Sequence, residues 1–240
     1  MKKIFFLLTL ILPSLLSCQL KADNWLKSVH GNGNVTKETR QVKGFDGIKA
    51  SAGIDVYLFQ GNEEKVVVEA DENLHDCIIT EVKGSTLHCY IDCNVRSSKV
   101  MKVYVNYKML NKINASSGSD VLGETLLKTD NLDVEVSSGA DVKVEVDAQT
   151  VHCDVSSGSD ALLKGKADHF QGSASSGADL KADELVVNSC EADASSAGDI
   201  KITVKKQIRA SASSGGDVTY FGNPENENIN ESSGGDVHRR

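Results

Sequence analysis

"ASSGSDV" occupies Ala115–Val121, and variants of it return at Val136–Val142 ("VSSGADV"), Val155–Ala161 ("VSSGSDA") and Ala174–Leu180 ("ASSGADL"). Three more close the series: "ASSAGDI" at Ala194–Ile200, "ASSGGDV" at Ala212–Val218 and "ESSGGDV" at Glu231–Val237. Taking the first Ser of each as origin gives Ser116, Ser137, Ser156, Ser175, Ser195, Ser213 and Ser232, spaced by 21, 19, 19, 20, 18 and 19 residues. A period near twenty held over this length marks a solenoid, in which each repeat is one turn that buries its apolar stripe against its neighbours.

Reading outward from each origin identifies the turn as β structure. Five, three and one residues before it stand Leu132, Val134 and Val136, then Val151, Cys153 and Val155, then Ile208, Ala210 and Ala212, with polar residues between. Beyond the Asp the alternation resumes, as in Val142-Lys143-Val144 and Ile200-Lys201-Ile202. Period-two alternation predicts strands, so each repeat is two short strands around a Ser-Ser-Gly-x-Asp corner. Stacked in parallel, such rungs lie ~4.8 Å apart, and the handedness of parallel crossovers makes the expected fold a right-handed parallel β-helix of ~20-residue rungs.

"ASAGIDV" at Ala50–Val56 is an earlier relative of the corner, and the 65 residues from Ser51 to Ser116 have room for about three further periods. Ten or so rungs would make a rod of roughly 45–50 Å. At each corner Gly supplies a backbone conformation that other residues resist, and Asp is expected to bond nearby backbone N–H groups. The second Ser has the parity of the apolar residues and is expected inside the corner, the first outside. The Asp residues then form a column: Asp55, Asp120, Asp141, Asp160, Asp179, Asp199, Asp217 and Asp236. Like charges at this spacing repel by about 1 kcal/mol even in water, so either corner donors or cations must compensate, and the column is a candidate cation site.

The chain starts "MKKIFFLLTLILPSLLSCQLKADNW". A short basic start followed by an apolar run too short to span a bilayer reads as a secretory signal over residues 1–17. "LLSC" at Leu15–Cys18 resembles a bacterial lipobox, with Cys18 as the lipidated residue; cleavage after Ala22 is the alternative. Residues 18–30 are then a linker and 31–240 the solenoid. The formal net charge of −8 argues against nucleic acid as a partner, because phosphate binding needs clustered Lys and Arg.

Six cysteines are present. Cys153 and Cys190 take inward positions and are expected as buried free thiols. Cys77, Cys89 and Cys93 are either buried structural thiols or contain a disulfide, which export permits. Their spacings do not match a zinc site.

The segment "GNGNVTKETRQVKGFDGIKASAGIDVYLFQGNEEKVVVEADENL", Gly31–Leu74, carries Gly31-Asn32-Gly33-Asn34, Gly44-Phe45-x-Gly47-Ile48, Gly53-Ile54-Asp55-Val56, Gly61 and Glu69-Ala70-Asp71-x-Asn73-Leu74. These features, with the Ser-Gly-Asp repeats, closely resemble the head GIN domain family, the autotransporter-adhesin-like domains of exported bacterial proteins. The resemblance runs from Gly31 to the end. It implies a β-helical fold and an adhesin-like role, and it implies no catalytic or ligand residues.

Serines are plentiful enough that a Ser-His-Asp arrangement must be weighed. His152 lies four residues before Ser156 on one strand face, about 13 Å away, and is expected to pair with Asp133 of the neighbouring rung instead. Asp133, Asp154 and Asp193 on one strand and Lys143, Lys181 and Lys201 on the other read as a solvated charged sheet. The expected function is therefore an exported, lipid-anchored cell-envelope module, at the outer membrane, that binds a glycan or protein without catalysis and without a cofactor. A polysaccharide-acting enzyme on the same scaffold and a calcium-binding structural module are the alternatives. Only Leu74–Leu110 leaves room for irregular structure, and "DVHRR" at the end shows no distinct capping element, which leaves the last edge open to a partner.

Overall fold

The alternating segments flanking each corner form strands that pair in parallel with their neighbours above and below. The computed structural model describes residues 28–240; the expected signal sequence, Cys18 and most of the expected linker lie outside the described residues. The repeats form a parallel β-solenoid in which long strands such as Asp141–Ser156, Asp160–Ser175 and Asp199–Ser213 each run from one corner to the next. Each changes its inward parity at a bend near the middle: Val142, Val144 and Val146 face the core before it, Val151, Cys153 and Val155 after it.

The core is a set of columns. Val136, Val155, Ala174, Ala194 and Ala212 stack in register, all at most 2% exposed. Small and large residues compensate each other within it. Gly172 leaves the space that the Phe170 ring fills, since a Cβ on Gly172 would stand 2.5 Å from that ring. Burying one Val, Leu or Ile side chain contributes about 1.5–3 kcal/mol, and no rung could bury its set without the rungs on either side.

The stacking order departs from the chain order at one place. The strands Gly47–Ser51 and Asp55–Gln60 pair directly with Lys112–Ser116 and Asp120–Gly123. The 65 residues between Ser51 and Ser116 are therefore not three further rungs. The chain leaves the stack after Gln60, builds the layer on one side of that first rung, and returns to pair with its other side. Eight corners stack, spanning about 34 Å at ~4.8 Å per rung, rather than ten or so.

The excursion covers the amino-terminal end of the stack. Met101–Tyr107 pairs in parallel with Asp55–Gln60, Lys65–Asp71 then runs antiparallel to it, and Val35–Arg40 antiparallel in turn. On the other side Thr86–Ile91 continues from Gly47–Ser51, and Ile78–Lys83 folds back on it. So the Leu74–Leu110 stretch is mostly ordered strand. Ser28–His30, the end of the expected linker, pairs with Asn94–Ser97. A Cys77–Cys93 disulfide ties the loop ends of this cap, and Cys89 is free and buried, as are Cys153 and Cys190. Burial pushes the thiols of Cys89 and Cys190 up to about 12, which makes them poor nucleophiles at neutral pH.

The other end has a closure that the sequence reading missed. Glu227 and Glu231 stand in register with inward-facing Ile208 and Ala212, and Arg239 with inward-facing Tyr220. Charged residues thus take three of the five core columns of the last rung, and Ile229 and Val237 take the columns of Ala210 and Val218. Arg239 Nη1 reaches Glu227 Oε1 at 3.4 Å, and Val237 N–H donates to Glu231 Oε1 at 2.7 Å. Three columns end in hydrogen-bonded or ion-paired charges, and Ile229, 38% exposed, is left among them.

Candidate functional site

The corner itself is built by two consecutive left-handed residues. The second Ser and the Gly have positive φ in every Ser-Ser-Gly repeat, for example Ser138 at 58° and Gly139 at 68°. This pair breaks the strand alternation. The second Ser is exposed and the residue after Gly turns inward, reversing the expected ladder of inward serines: Ser119, Ala140, Ser159 and Ala178 are buried. Where that inward residue is Gly198, Gly216 or Gly235, its own N–H closes the turn onto the first Ser carbonyl at 3.0 Å. Where it is Ser119 or Ser159, the side-chain hydroxyl bonds that carbonyl instead, at 2.7 and 2.6 Å. Backbone bonds such as Gly139 N–H to the Ser157 carbonyl tie corner to corner.

The eight candidate aspartates form one unbroken ladder. Asp55 pairs with Asp120, and Asp141, Asp160, Asp179, Asp199, Asp217 and Asp236 follow rung by rung. Their compensation differs from expectation. Among the described residues none accepts a backbone N–H bond, because the left-handed pair turns the corner amides toward the next rung's carbonyls. In three of the eight rungs a lysine two residues further on, Lys143, Lys181 or Lys201, supplies positive charge instead, and Lys181 Nζ lies 3.0 Å from Asp160 and 3.1 Å from Asp179. Lys102 stands in register beyond Asp55 and closes the column at the capped end. Among the described residues no group of three or more His, Cys, Asp or Glu side chains is arranged to hold a metal ion.

The column nonetheless keeps a residual electrostatic cost. Burial, then the charges of Asp55 and Asp141, raise the Asp120 carboxyl above its ordinary value. Burial, then Asp179 and Asp217, do the same to Asp199. Burial raises Asp55, which Lys102 partly offsets. A folded state that holds a proton more tightly than the unfolded chain loses stability as pH rises through the folded pKa and regains it on the way down. Asp120→Asn should therefore raise unfolding stability at pH 7 by about 1 kcal/mol, the scale of one lost neighbour repulsion. Thermal unfolding followed by circular dichroism should show that gain shrinking toward zero near pH 3, where the parent carboxyls are protonated. A loss of stability at pH 7 would mean that the carboxylate is held by a partner.

His152 does stand in register with Asp133, but its bond is to its own rung: Nε2 lies 3.0 Å from Asp154 Oδ2. Asp133 is taken instead by Lys112 Nζ at 3.1 Å, which also binds Glu135 at 2.8 Å. Ser173 Oγ donates to the other Asp154 oxygen. The order is therefore Ser–Asp–His. A catalytic triad needs the imidazole between hydroxyl and carboxylate so that it can take the serine proton, and here it does not touch the serine.

The larger cavities lie elsewhere, along the bend. Three open depressions of about 710, 730 and 440 Å³ follow this side of the rod. Running along the first and third, and touching the second at Asn131, is a ladder of uncharged or weakly basic hydrogen-bonding residues: Asn131, Thr150, His169, Ser189, Gln207 and Asn226, paired in register over six rungs. Sequence reading stopped one residue short of it. Each member stands six residues before its Ser-Ser origin, so the repeat spacing alone would have found the column.

Comparison with known structures supports the same architecture. A protein from Bacteroides fragilis, described as a putative adhesin, superposes with a TM-score of 0.83 at 24% identity, covering 88% of this chain and 100% of that one. A putative adhesin from Parabacteroides distasonis gives 0.72 at 24% identity, covering 89% and 100%. A putative lipid binding protein from the same species gives 0.68 at 20%, again covering 89% and 100%. Identities this low show a shared fold. A search of curated proteins finds no match. The family model described as "Putative auto-transporter adhesin, head GIN domain" matches residues 44–224, from the first corner through the sixth of the Ser-Ser series, and the chain belongs to that family.

Proposed function

We propose that this chain is an exported, non-enzymatic binding module of the cell envelope, tethered through lipid on Cys18 at the outer membrane and presenting a stiff rod to a glycan or protein ligand. The observation that carries this reading is the register of the Asp ladder and of the bend-face ladder, kept from rung to rung across the shifts at Leu162/Lys164, Ala182/Val186 and Val187/Ser189, which suits extended contact with a ligand. The adhesin description of the family agrees with it. The Ser–Asp–His order at Ser173, Asp154 and His152 supplies no activated nucleophile. One structural relative is described as lipid binding, but the interior of this rod is filled by its own side chains.

The test is an immobilised panel of glycans and extracellular-matrix proteins probed with the purified protein. Saturable binding to at least one is the expected result. No binding together with release of reducing sugar from a polysaccharide would overturn the reading in favour of an enzyme. The tether has its own expected result: metabolic labelling with a fatty-acid analogue disappears in Cys18→Ala, and labelling that persists would contradict it.

A further inference from the structure

We propose that the bend face is a binding site for a neutral, linear glycan lying parallel to the rod axis, and this rests on the binding-module reading above. Three features converge there. The first is the hydrogen-bonding ladder of Asn131, Thr150, His169, Ser189, Gln207 and Asn226, which carries one amide, hydroxyl or imidazole group per rung, His169 Nδ1 and Ser189 Oγ being bonded to each other at 2.6 Å. The rung spacing is ~4.8 Å, close to the advance of one sugar residue along an extended chain, so successive sugars meet equivalent donors and acceptors. The second is the placement of two depressions along His169, Ser189, Gln207 and Asn226, with a third meeting the ladder at its Asn131 end.

The third is charge. One flanking column, Gln171, Glu191, Arg209 and Asn228, pairs its two charges with each other, Arg209 Nη1 lying 3.9 Å from Glu191 Oε1, and the other side carries Asp130, Asp147, Asp168 and Glu225 against Lys108, Lys128 and Lys206. Glu227 at the end of the groove is held by Arg239. No excess of positive charge faces the groove, and the chain carries a net −8, so an anionic polymer would be repelled. A peptide would need an open strand edge or apolar pockets for its side chains, whereas this face runs across paired strands and is lined by polar groups. Phe170, Cys190 and Ile208, each at most 6% exposed, lie at the floor of the 710 Å³ depression and leave a small apolar surface for the C–H faces of a sugar. The contact is shallow, so affinity should grow with the number of rungs covered.

The experiment is titration calorimetry of the folded protein with cellohexaose, xylohexaose, mannohexaose and maltohexaose, with the matching disaccharides and with hexagalacturonate. At least one neutral hexasaccharide should bind, and about tenfold or more tighter than its disaccharide, because each further rung adds hydrogen bonds. Gln207→Ala with Asn226→Ala, both at exposed positions, should weaken it by about tenfold. Lys143→Ala with Lys201→Ala, on the face of the Asp column, should leave it unchanged. The proposal falls if no neutral hexasaccharide binds, if hexagalacturonate binds more tightly, if the disaccharide binds as well as the hexamer, or if the bend-face variant binds like the parent. Applying the bend-face variant to the immobilised panel separates the two claims. Panel binding that survives the substitutions leaves the binding module standing and removes this site, whereas an empty panel removes the module itself.

Discussion

Glu227→Ile, Glu231→Ala and Arg239→Tyr, made together, should cause the rods to associate end to end. Each replacement installs the residue that the same core column carries one rung earlier, Ile208, Ala212 and Tyr220. The terminal strands Asn226–Glu231 and Asp236–Arg239 expose one row of backbone donors and acceptors, and an exposed edge of this kind is a template for another strand. In the parent, a second rod docking there would have to strip water from two carboxylates and a guanidinium, at several kcal/mol per ion. The triple variant removes that cost and adds apolar surface. Sedimentation velocity over a concentration series should show a concentration-dependent shift to dimers or longer assemblies that the parent lacks. A folded variant that sediments like the parent would show that the inward charges are not what stops the stack.

The second large effect separates two glycines. Gly165 has φ +104°, and a Cβ there would stand 2.1 Å from the Val146 carbonyl oxygen of the adjacent rung. Gly165→Ala must displace that carbonyl as well as strain its own backbone, and should cost about 3 kcal/mol or more. Gly158, in a corner, has φ +65° with nothing within 4 Å of its Cβ direction. Gly158→Ala should cost only about 1 kcal/mol. The chain already accepts that substitution elsewhere, since Ala197 occupies the equivalent position at φ 59°. Urea unfolding of the two variants against the parent measures both. Equal costs would mean that backbone strain alone, and not the approach of neighbouring rungs, governs glycine placement.

Much of this architecture was legible because a repeat states the same constraint many times. The spacing of the Ser-Ser origins and the alternation on both sides fixed the strands, the parallel stack, the Asp column and the buried thiols of Cys153 and Cys190 before any coordinates. The inward ladder of serines was lost to a break in parity. Parity counting assumes an uninterrupted strand, and the left-handed Ser138-Gly139 pair breaks it, so the residue after Gly turns inward where the second Ser was expected. Stacking order was illegible for a different reason: nothing local at Ser51 says that its neighbour is 65 residues away. The antiparallel cap writes no repeat of its own. Glu227, Glu231 and Arg239 look like surface charges until register places them over Ile208, Ala212 and Tyr220. His152 was placed beside the correct neighbour, but Lys112 competes for Asp133 and leaves the imidazole to Asp154.

Every column, including the bend-face ladder, depends on which rung lies against which, and engineered cysteine pairs read that order directly. Asp55 and Asp120 are partners in adjacent strands although 65 residues apart, whereas Asp55 and Asp141 are separated by an intervening rung. Mild oxidation of Asp55→Cys/Asp120→Cys should give near-complete intramolecular cross-linking, measured as a mobility shift and by peptide mass. Asp55→Cys/Asp141→Cys should stay reduced under the same conditions. Cross-linking of the second pair in preference to the first, or of neither, would contradict the stacking order on which the whole surface is built.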